Sequence, residues 1–139
     1  MRIYFAHPIT MYNTPEEYRC LVTIKNYFPE LKNVTNYPDL VNPNQKTFEL
    51  AYKRLGMDLF LGLVDTCDII VYSPFNDNTV GAGVVSEVSR AVDKNKKVYK
   101  IDPITFEITE VFKLENCLTV EETREKIKQI KLNQIKKYL

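Results

Sequence analysis

The sequence has little of several residues that often mark a functional site. Its 139 residues include no tryptophan, one histidine, three cysteines and four glycines. The cysteines, Cys20, Cys67 and Cys117, are odd in number and far apart, and no C-x-x-C spacing occurs, which argues against a zinc site. We expect buried, reduced thiols, as in a cytosolic protein, and neither a metal nor an organic cofactor.

Charge and hydropathy argue against two further classes. A net charge of +1 gives no broad attraction to nucleic acid or to anionic lipid. No apolar run approaches the ~20 residues that span a bilayer, and MRIYF leads into polar and turn residues rather than into a signal peptide. We therefore expect a cytoplasmic protein with no nucleic-acid and no membrane partner. The lysines of REKIKQIKLNQIKKYL are interpreted as the solvated face of a last helix.

Apolar runs bounded by turn residues predict the strands. The clearest is DIIVYS, residues 68–73, whose three β-branched residues and one aromatic are typical of a strand covered on both faces. RIYFA, residues 2–6, and KVYKID, residues 97–102, are similar runs. A weaker strand is predicted around 33–37, and TFEITEVF, residues 105–112, predicts an edge strand or hairpin arm.

Capping residues and apolar periodicity predict the helices. Thr14 caps the first helix, Pro15 takes its first position, and Glu17 closes a capping box. The predicted buried face of this helix consists of apolar residues about one turn apart: Tyr18, Leu21, Ile24 and Phe28.

The remaining segments continue the alternation. DLVNPNQ predicts a loop, and KTFELAYKRLGMDLFLGLVDTC predicts one long helix over 46–66, weakened by its two glycines. VVSEVSRAVDKN predicts a helix after the third strand, and a second T-x-x-E capping box, Thr119 to Glu122, begins the last helix. Alternating strands and helices favour a single α/β domain over 1–139, with a parallel sheet of four or five strands and helices on both faces.

Two loops follow the first and third strands, and the carboxyl ends of parallel strands are where ligands collect in such sheets. The loops are AHPITMYNT and SPFNDNTVGAG. The second loop leads into the helix that carries Glu87, and Gly81 and Gly83 would allow a polar ligand close to its first N–H groups. No G-K-[ST] follows, so this is not a P-loop.

Glu87 has two interpretations. At 100° per residue, Val85, Val88 and Val92 share one face of the helix, and Glu87 lies more than 90° away, beside Gly83 and Ala91. Glu87 is therefore predicted to lie off the sheet interface, facing either water or the cleft between the loops.

Three stretches resemble the nucleoside 2-deoxyribosyltransferase-like family, which includes deoxynucleotide N-glycosidases. They are IYFAHPI at residues 3–9, the strand CDIIV, and VGAGVVSEVSRAVDKNKKVYKI. Together they cover roughly residues 1–102. The resemblance implies a small flavodoxin-like, Rossmann-like α/β sandwich, in agreement with the order of elements.

The resemblance also implies roles for individual residues. Glu87 would be the nucleophile that attacks the anomeric carbon, a role that suits an oxocarbenium-like transition state. Asp77, beside Asn78, would protonate the departing base. Asp58 best fits the aspartate that binds a sugar hydroxyl, although Asp65 and Asp68 compete for that role. The remaining predicted substrate contacts come from the two loop motifs: Tyr4, Ala6, His7, Tyr12, Asn78, Gly81 and Gly83.

The chain also departs from the family pattern. With the glutamate aligned, Val85 replaces the second motif glycine, and Ser89 stands where glycine is frequent. His7 and Pro8 replace a Gly-Ser or Gly-Pro pair. His7 has a functional interpretation, protonating a base or contacting a phosphate, and a structural one, closing a turn before proline.

The predicted function is therefore cleavage or transfer of the N-glycosidic bond of a nucleoside or nucleotide. The alternatives are a glycosidase that acts on NAD or another nucleotide-sugar, and a nucleotide-binding module without turnover. The resemblance further implies at least a homodimer, for which the apolar helix over 46–66 offers an interface.

Overall fold

One mixed sheet organises the molecule. The structure, a computed structural model, describes residues 1–29, 39–44 and 49–137. In this part of the chain five strands form a sheet in the order β2-β1-β3-β4-β5. Their bounds are β1 Ile3–Ala6, β2 Leu40–Val41, β3 Ile69–Tyr72, β4 Lys97–Ile101 and β5 Ile108–Glu110.

The strand order is that of a flavodoxin-like sheet. β2, β1, β3 and β4 run parallel, with Tyr4 of β1 opposite Val41 of β2 and Ile70 of β3. β5 pairs antiparallel with β4, with Ile101 opposite Ile108. The prediction of a parallel α/β sheet is confirmed, and so is an edge strand within TFEITEVF. Because β1 lies between β2 and β3, connections leave it on both sides and open a crevice at its carboxyl end.

Alternation along the strands divides the core into two layers. Ile3 and Phe5 of β1 and Val71 of β3 pack on one side, against Cys20 and Ile24 of the first helix. Tyr4, Ala6, Ile70 and Tyr72 point to the other side, where they meet the helices that precede and follow β3. Helices thus cover both faces of the sheet, as predicted.

The helices lie near the predicted segments. A short 3₁₀ helix spans Ile9–Met11, and the α-helices of the described residues are α1 Pro15–Tyr27, α2 Glu49–Leu55, α3 Met57–Asp65, α4 Ala82–Asp93 and α5 Val120–Lys136. The capping box at the start of α5 is confirmed, since Thr119 and Glu122 each bind the other's backbone N–H. The lysines toward the end of α5 are exposed, as predicted.

The prediction of one helix over 46–66 is wrong. Gly56 adopts φ +59°, a left-handed conformation that interrupts an α-helix, so the segment forms α2 and α3 instead. The prediction of a loop for DLVNPNQ is also wrong in part, because Leu40 and Val41 pair with β1. The strand predicted around 33–37 lies outside the described residues.

Two further expectations need correction. Tyr18 is 71% exposed, and Cys20 occupies the buried face of α1 together with Ile24 and Phe28. Cys117 is exposed rather than buried, while Cys20 and Cys67 are buried. No helix in the described ranges combines the length and the apolar character needed to cross a membrane.

Candidate active site

A cavity of about 390 Å³ opens at the carboxyl ends of β1 and β3. Both predicted loops line it, through His7, Pro8 and Tyr12 on one side and Phe75 and Gly81 on the other. α2, α3 and α5 contribute the remaining walls. The crevice that the strand order creates is therefore a pocket with room for a small organic ligand.

Glu87 lies at this cavity and is only 8% exposed. The buried face of α4 consists of Val84, Glu87, Val88 and Ala91, whereas Val92 is 54% exposed. The predicted face of Val85, Val88 and Val92 is thus wrong in part: Val88 is buried and Val85 packs against the core, but Val92 points to solvent. Glu87 belongs to the buried stripe, and the interpretation of a solvated helix residue is wrong.

Tyr4 is the direct partner of this carboxylate. Tyr4 points from β1 toward α4, and its hydroxyl donates a hydrogen bond to Glu87 Oε2. Burial raises the pKa of Glu87 to about 7, although the Tyr4 hydrogen bond and the charge of His7 act to lower it. Burial, followed by the charge of Glu87, raises the pKa of the Tyr4 hydroxyl, which therefore stays a donor. The pair presents a carboxylate that is partly protonated near neutral pH.

His7 is buried beside this pair and is bonded on both ring nitrogens. Nε2 lies 2.7 Å from Asn42 Oδ1 and 3.2 Å from Glu17 Oε2. Nδ1 lies 3.1 Å from the carbonyl oxygen of Pro8. Glu17 Oε2 lies within ion-pair distance of Nε2 but makes no directed hydrogen bond to it, and it has no other hydrogen-bond partner among the described residues. His7 is fixed in the cavity wall, and its ring nitrogens do not point freely at a ligand.

Glu17 does not close the predicted capping box. Thr14 Oγ1 accepts the N–H of Glu17 at 3.2 Å, which is half of the box. The carboxylate instead accepts the N–H of Asn13 at 3.1 Å and meets His7. Burial acts to raise the pKa of Glu17, but bonding and charge from His7, together with Asn13 and Asn42, lower it below its usual value.

Aromatic side chains form much of the remaining wall. Tyr12 meets the His7 ring edge-on, with centroids 5.3 Å apart. The ring centroids of Tyr52 on α2 and Phe60 on α3 are 5.3 Å apart, and Phe75 comes from the loop after β3. Flat apolar surfaces of this kind suit a planar ring such as a nucleobase.

The start of α4 packs tightly against α5. A Cβ at Gly81 would lie 3.3 Å from side-chain atoms of Phe75 and Thr123, a tight contact that would require these side chains to shift by a few tenths of an ångström. Thr123 Oγ1 accepts the N–H of Ala82 at 2.9 Å. The Ala82 N–H at the N-terminus of α4 is therefore not available to a ligand. Arg124, the next residue of α5, is exposed and lines the cavity with its positive charge.

The structure brings some predicted site residues together and not others. Tyr4, His7, Tyr12, Gly81, Gly83 and Glu87 all line the cavity. Ala6 is buried in the core beside it, and Asn78 instead accepts a hydrogen bond from Lys100. Asp77 and Asp58 are exposed and lie outside the lining. Among the described lining residues, Glu87 alone carries a carboxyl group.

Each of these aspartates has a local environment that explains its position. Asp77 bonds Thr79 and forms an ion pair with Lys126 of α5; burial acts to raise the pKa of Asp77, but these partners lower it to about 2. Asp65, an alternative to Asp58, pairs with Arg90 through both carboxylate oxygens. Asp68 accepts the backbone N–H of Arg2 at 2.8 Å, which agrees with its interpretation as a turn residue.

Several residues of the site were not found from the sequence, among them Glu17 and Asn42 beside His7 and Thr123 and Arg124 on the cavity wall. Glu17 was interpreted only as a cap, and Asn42 was placed in a featureless loop. Thr123 and Arg124 belong to a helix that the resemblance does not cover. The sequence does place two acids, Glu16 and Glu17, in the first turn of α1, where one is enough to complete a capping box. It does not show that the Glu17 carboxylate contacts His7.

No family model, curated protein or solved structure matches this chain. What the cavity offers is one buried carboxylate, a phenol hydroxyl bonded to it, a histidine held by a second carboxylate, and aromatic walls.

Proposed function

We propose that this protein breaks or transfers an N-glycosidic bond of a nucleoside or nucleotide, with Glu87 as the nucleophile. The observation that carries the proposal is a carboxylate buried at a ligand-sized cavity and aimed by a tyrosine hydroxyl. A carboxylate in this setting is suited to an anomeric carbon that develops positive charge. The motif resemblance supports the same residue.

In the proposed reaction, a Glu87 oxygen attacks the anomeric carbon while the bond to the base nitrogen breaks and its electron pair leaves with the base. The base takes a proton from solvent, and the sugar stays on Glu87 as an ester. Water or a second base then attacks the same carbon and releases the carboxylate. The hydrogen bond from Tyr4 to Glu87 Oε2 fixes the orientation of the carboxylate, whichever of its two oxygens attacks.

The nucleophile must be ionised to react. Since burial raises the pKa of Glu87 to about 7, the ionised fraction increases as the pH rises through neutrality. We expect kcat/KM for base release to rise with pH up to about 7 and then to level off on this side of the profile.

One observation favours the alternative of a binding module without turnover. The described lining residues include no second carboxyl group, because Asp77 and Asp58 lie outside it. An enzyme of this class gains from an acid that protonates the leaving base. A ligand that binds without losing its base would support this alternative.

The test is a panel of nucleosides, nucleotides, NAD and nucleotide-sugars, incubated with the protein and analysed for free base by chromatography. Glu87→Gln keeps the side-chain size and removes the nucleophile, and should lower base release by about a thousandfold or more while ligand binding persists. Glu110→Gln, on the exposed edge of the sheet, is the matched control. Base release by Glu87→Gln at the wild-type rate would contradict the nucleophile assignment.

The assembly stays a prediction: at least a homodimer, with an interface on the segment 46–66. Of the described side chains in that segment, Phe60 and Val64 are buried in the chain's own core, whereas Leu55 is half-exposed and available for a partner. Light scattering at micromolar concentration tests the assembly, and a monomeric mass would contradict it.

A further inference from the structure

His7 makes contacts that a neutral imidazole cannot satisfy. A carbonyl oxygen lies against Nδ1, and a carboxylate oxygen and an amide oxygen lie against Nε2. Carbonyl and carboxylate oxygens only accept hydrogen bonds, whereas a neutral imidazole has a single N–H. Both ring nitrogens therefore need a proton, and the set of partners selects the imidazolium ion.

The environment is built to hold this charge. His7 and Glu17 are both more than nine-tenths buried, and a buried charge persists only beside an opposite charge with further hydrogen bonds. Asn42 bonds both partners: its carbonyl oxygen faces His7, and its side chain hydrogen-bonds to Glu17. The Asn13 N–H occupies the other carboxylate oxygen. The two charges and their polar atoms form one network.

The charge lies where it can act on the proposed nucleophile. His7 lines the same cavity as Glu87, and its charge favours the ionised form of that carboxylate. Glu17 lies behind His7 and does not line the cavity. The titratable groups that contact His7 or Glu87, or line the cavity with them, are Tyr4, Tyr12, Glu17, Tyr52 and Arg124. Of these, Arg124 is exposed to solvent, which screens its charge.

We propose that Glu17 is a positioning residue that, with Asn42, keeps His7 as a buried imidazolium, and that this fixed positive charge increases the fraction of Glu87 that is ionised for attack. The role in attack rests on the proposed function, whereas the charge on His7 and its effect on Glu87 do not. His7 then acts as a permanent electrostatic element of the site rather than as a proton donor to the substrate.

His7 is the chain's one histidine, so its charge can be observed directly in the full-length protein. Nitrogen-15 NMR of the labelled imidazole should show both nitrogens protonated at pH 7.5, where an ordinary histidine is mostly neutral. A neutral tautomer in the wild type at that pH would overturn the proposal.

Glu17→Gln should convert His7 to the neutral form at pH 7.5, while Glu16→Gln, an exposed neighbour on the same helix, should leave it charged. Carbon-13 NMR of the glutamate carboxyls then reports Glu87 without any substrate. In Glu17→Gln the midpoint of the Glu87 titration should move up by about one pH unit, a tenfold change in its ratio of ionised to neutral form. A downward shift would mean that His7 keeps its charge without Glu17, and would overturn the positioning role.

His7→Gln is the second variant, and it tests the effect of the His7 charge on Glu87 even if Glu17→Gln does not fold. It should move the Glu87 midpoint in the same upward direction, and an unchanged midpoint would overturn the proposal. Where base release is measurable, the acid limb of kcat/KM should move with that midpoint, and the rate should recover at higher pH. Absence of base release in every protein would contradict the proposed function and leave the NMR outcomes to decide on the charge.

Discussion

Glu17 and Glu87 both interact with His7, but their carboxylates have different partners. Both are buried to nearly the same extent, at 9% and 8% exposure. Yet the pKa of Glu17 is lowered and that of Glu87 is raised. Glu17 is stabilised in its ionised form by the Asn13 N–H, the Asn42 side chain and His7. Glu87 has the Tyr4 hydroxyl as its hydrogen-bond donor and the charge of His7, which also acts on Glu17. Loss of hydration raises the cost of ionisation at both carboxylates and dominates at Glu87, whereas at Glu17 the donors and the charge of His7 outweigh it.

Among the variants that test this contrast, Glu87→Gln should change the free energy of unfolding the most. Because the pKa of Glu87 is higher in the folded protein, the stability linked to its proton is present below about pH 4.5 and is lost as the pH rises to about 7. Glutamine has no proton to lose and still accepts from Tyr4. The variant should therefore exceed the wild type in unfolding free energy by about 3 kcal/mol at pH 8, with little difference at pH 4. Urea unfolding at both pH values measures this, and equal stability at pH 8 would contradict it.

Glu17→Gln should have the opposite sign. The pKa of Glu17 is lowered on folding, so its contribution is present above the ordinary carboxyl range and is lost as the pH falls through the folded value. The variant should lose about 2 kcal/mol at pH 7.5, less than a stranded charge would cost, because His7 can release its second proton. The loss should disappear in acid, and Glu16→Gln is the control. If both glutamine variants changed stability in the same direction at pH 7.5, the contrast between the two carboxylates would fail.

Tyr4→Phe sharpens the same contrast from the Glu87 side. Removing the hydroxyl deprives the ionised carboxylate of its one direct donor, so the pKa of Glu87 should rise further. We expect a loss of about 1 kcal/mol in unfolding free energy above pH 7 and an upward shift of the Glu87 titration in carbon-13 NMR. Tyr99→Phe, remote from the cavity on β4, is the matched control. An unchanged Glu87 titration would show that the hydroxyl does not influence the carboxylate.

Asp77→Asn should have the smallest effect. Asp77 is an exposed partner of Lys126, and exposed ion pairs contribute little, so unfolding free energy should fall by less than about 0.5 kcal/mol. Base release should be unchanged, since Asp77 does not line the cavity. A large loss of base release would support the sequence-based assignment of Asp77 as the acid instead.

Some features of the fold and the site follow from the sequence alone, and others do not. Strand positions followed from β-branched runs such as DIIVYS, and the parallel arrangement followed from alternation, because both depend on local pattern and on general rules of chirality. Glu87, Tyr4 and His7 were found from motif resemblance and loop position. The exposure of Val92 and the burial of Glu87 on α4 did not follow from the sequence, since an apolar side chain and a carboxylate suggest the opposite.

The other misses have the same origin. Gly56 is compatible with a long helix in sequence, and only its left-handed backbone divides α2 from α3. Glu17 satisfied a capping pattern, and the partner that draws its carboxylate away, His7, lies ten residues earlier in the loop after β1. Asn42 joins this network from 35 residues beyond His7. Contacts at such separation depend on the tertiary fold, which single-sequence patterns do not encode.

The walls of the cavity come from stretches that are far apart in the chain, from Tyr4 on β1 to Ile127 on α5. A ligand that touches all of them is lost when any one wall opens, so its binding free energy opposes each of those openings. At a hundredfold excess over Kd this amounts to about 2.7 kcal/mol. Heat-melting curves of the protein with candidate compounds should therefore rank ligands by affinity before any reaction is known, and amide exchange should slow in β1 and in α5 together.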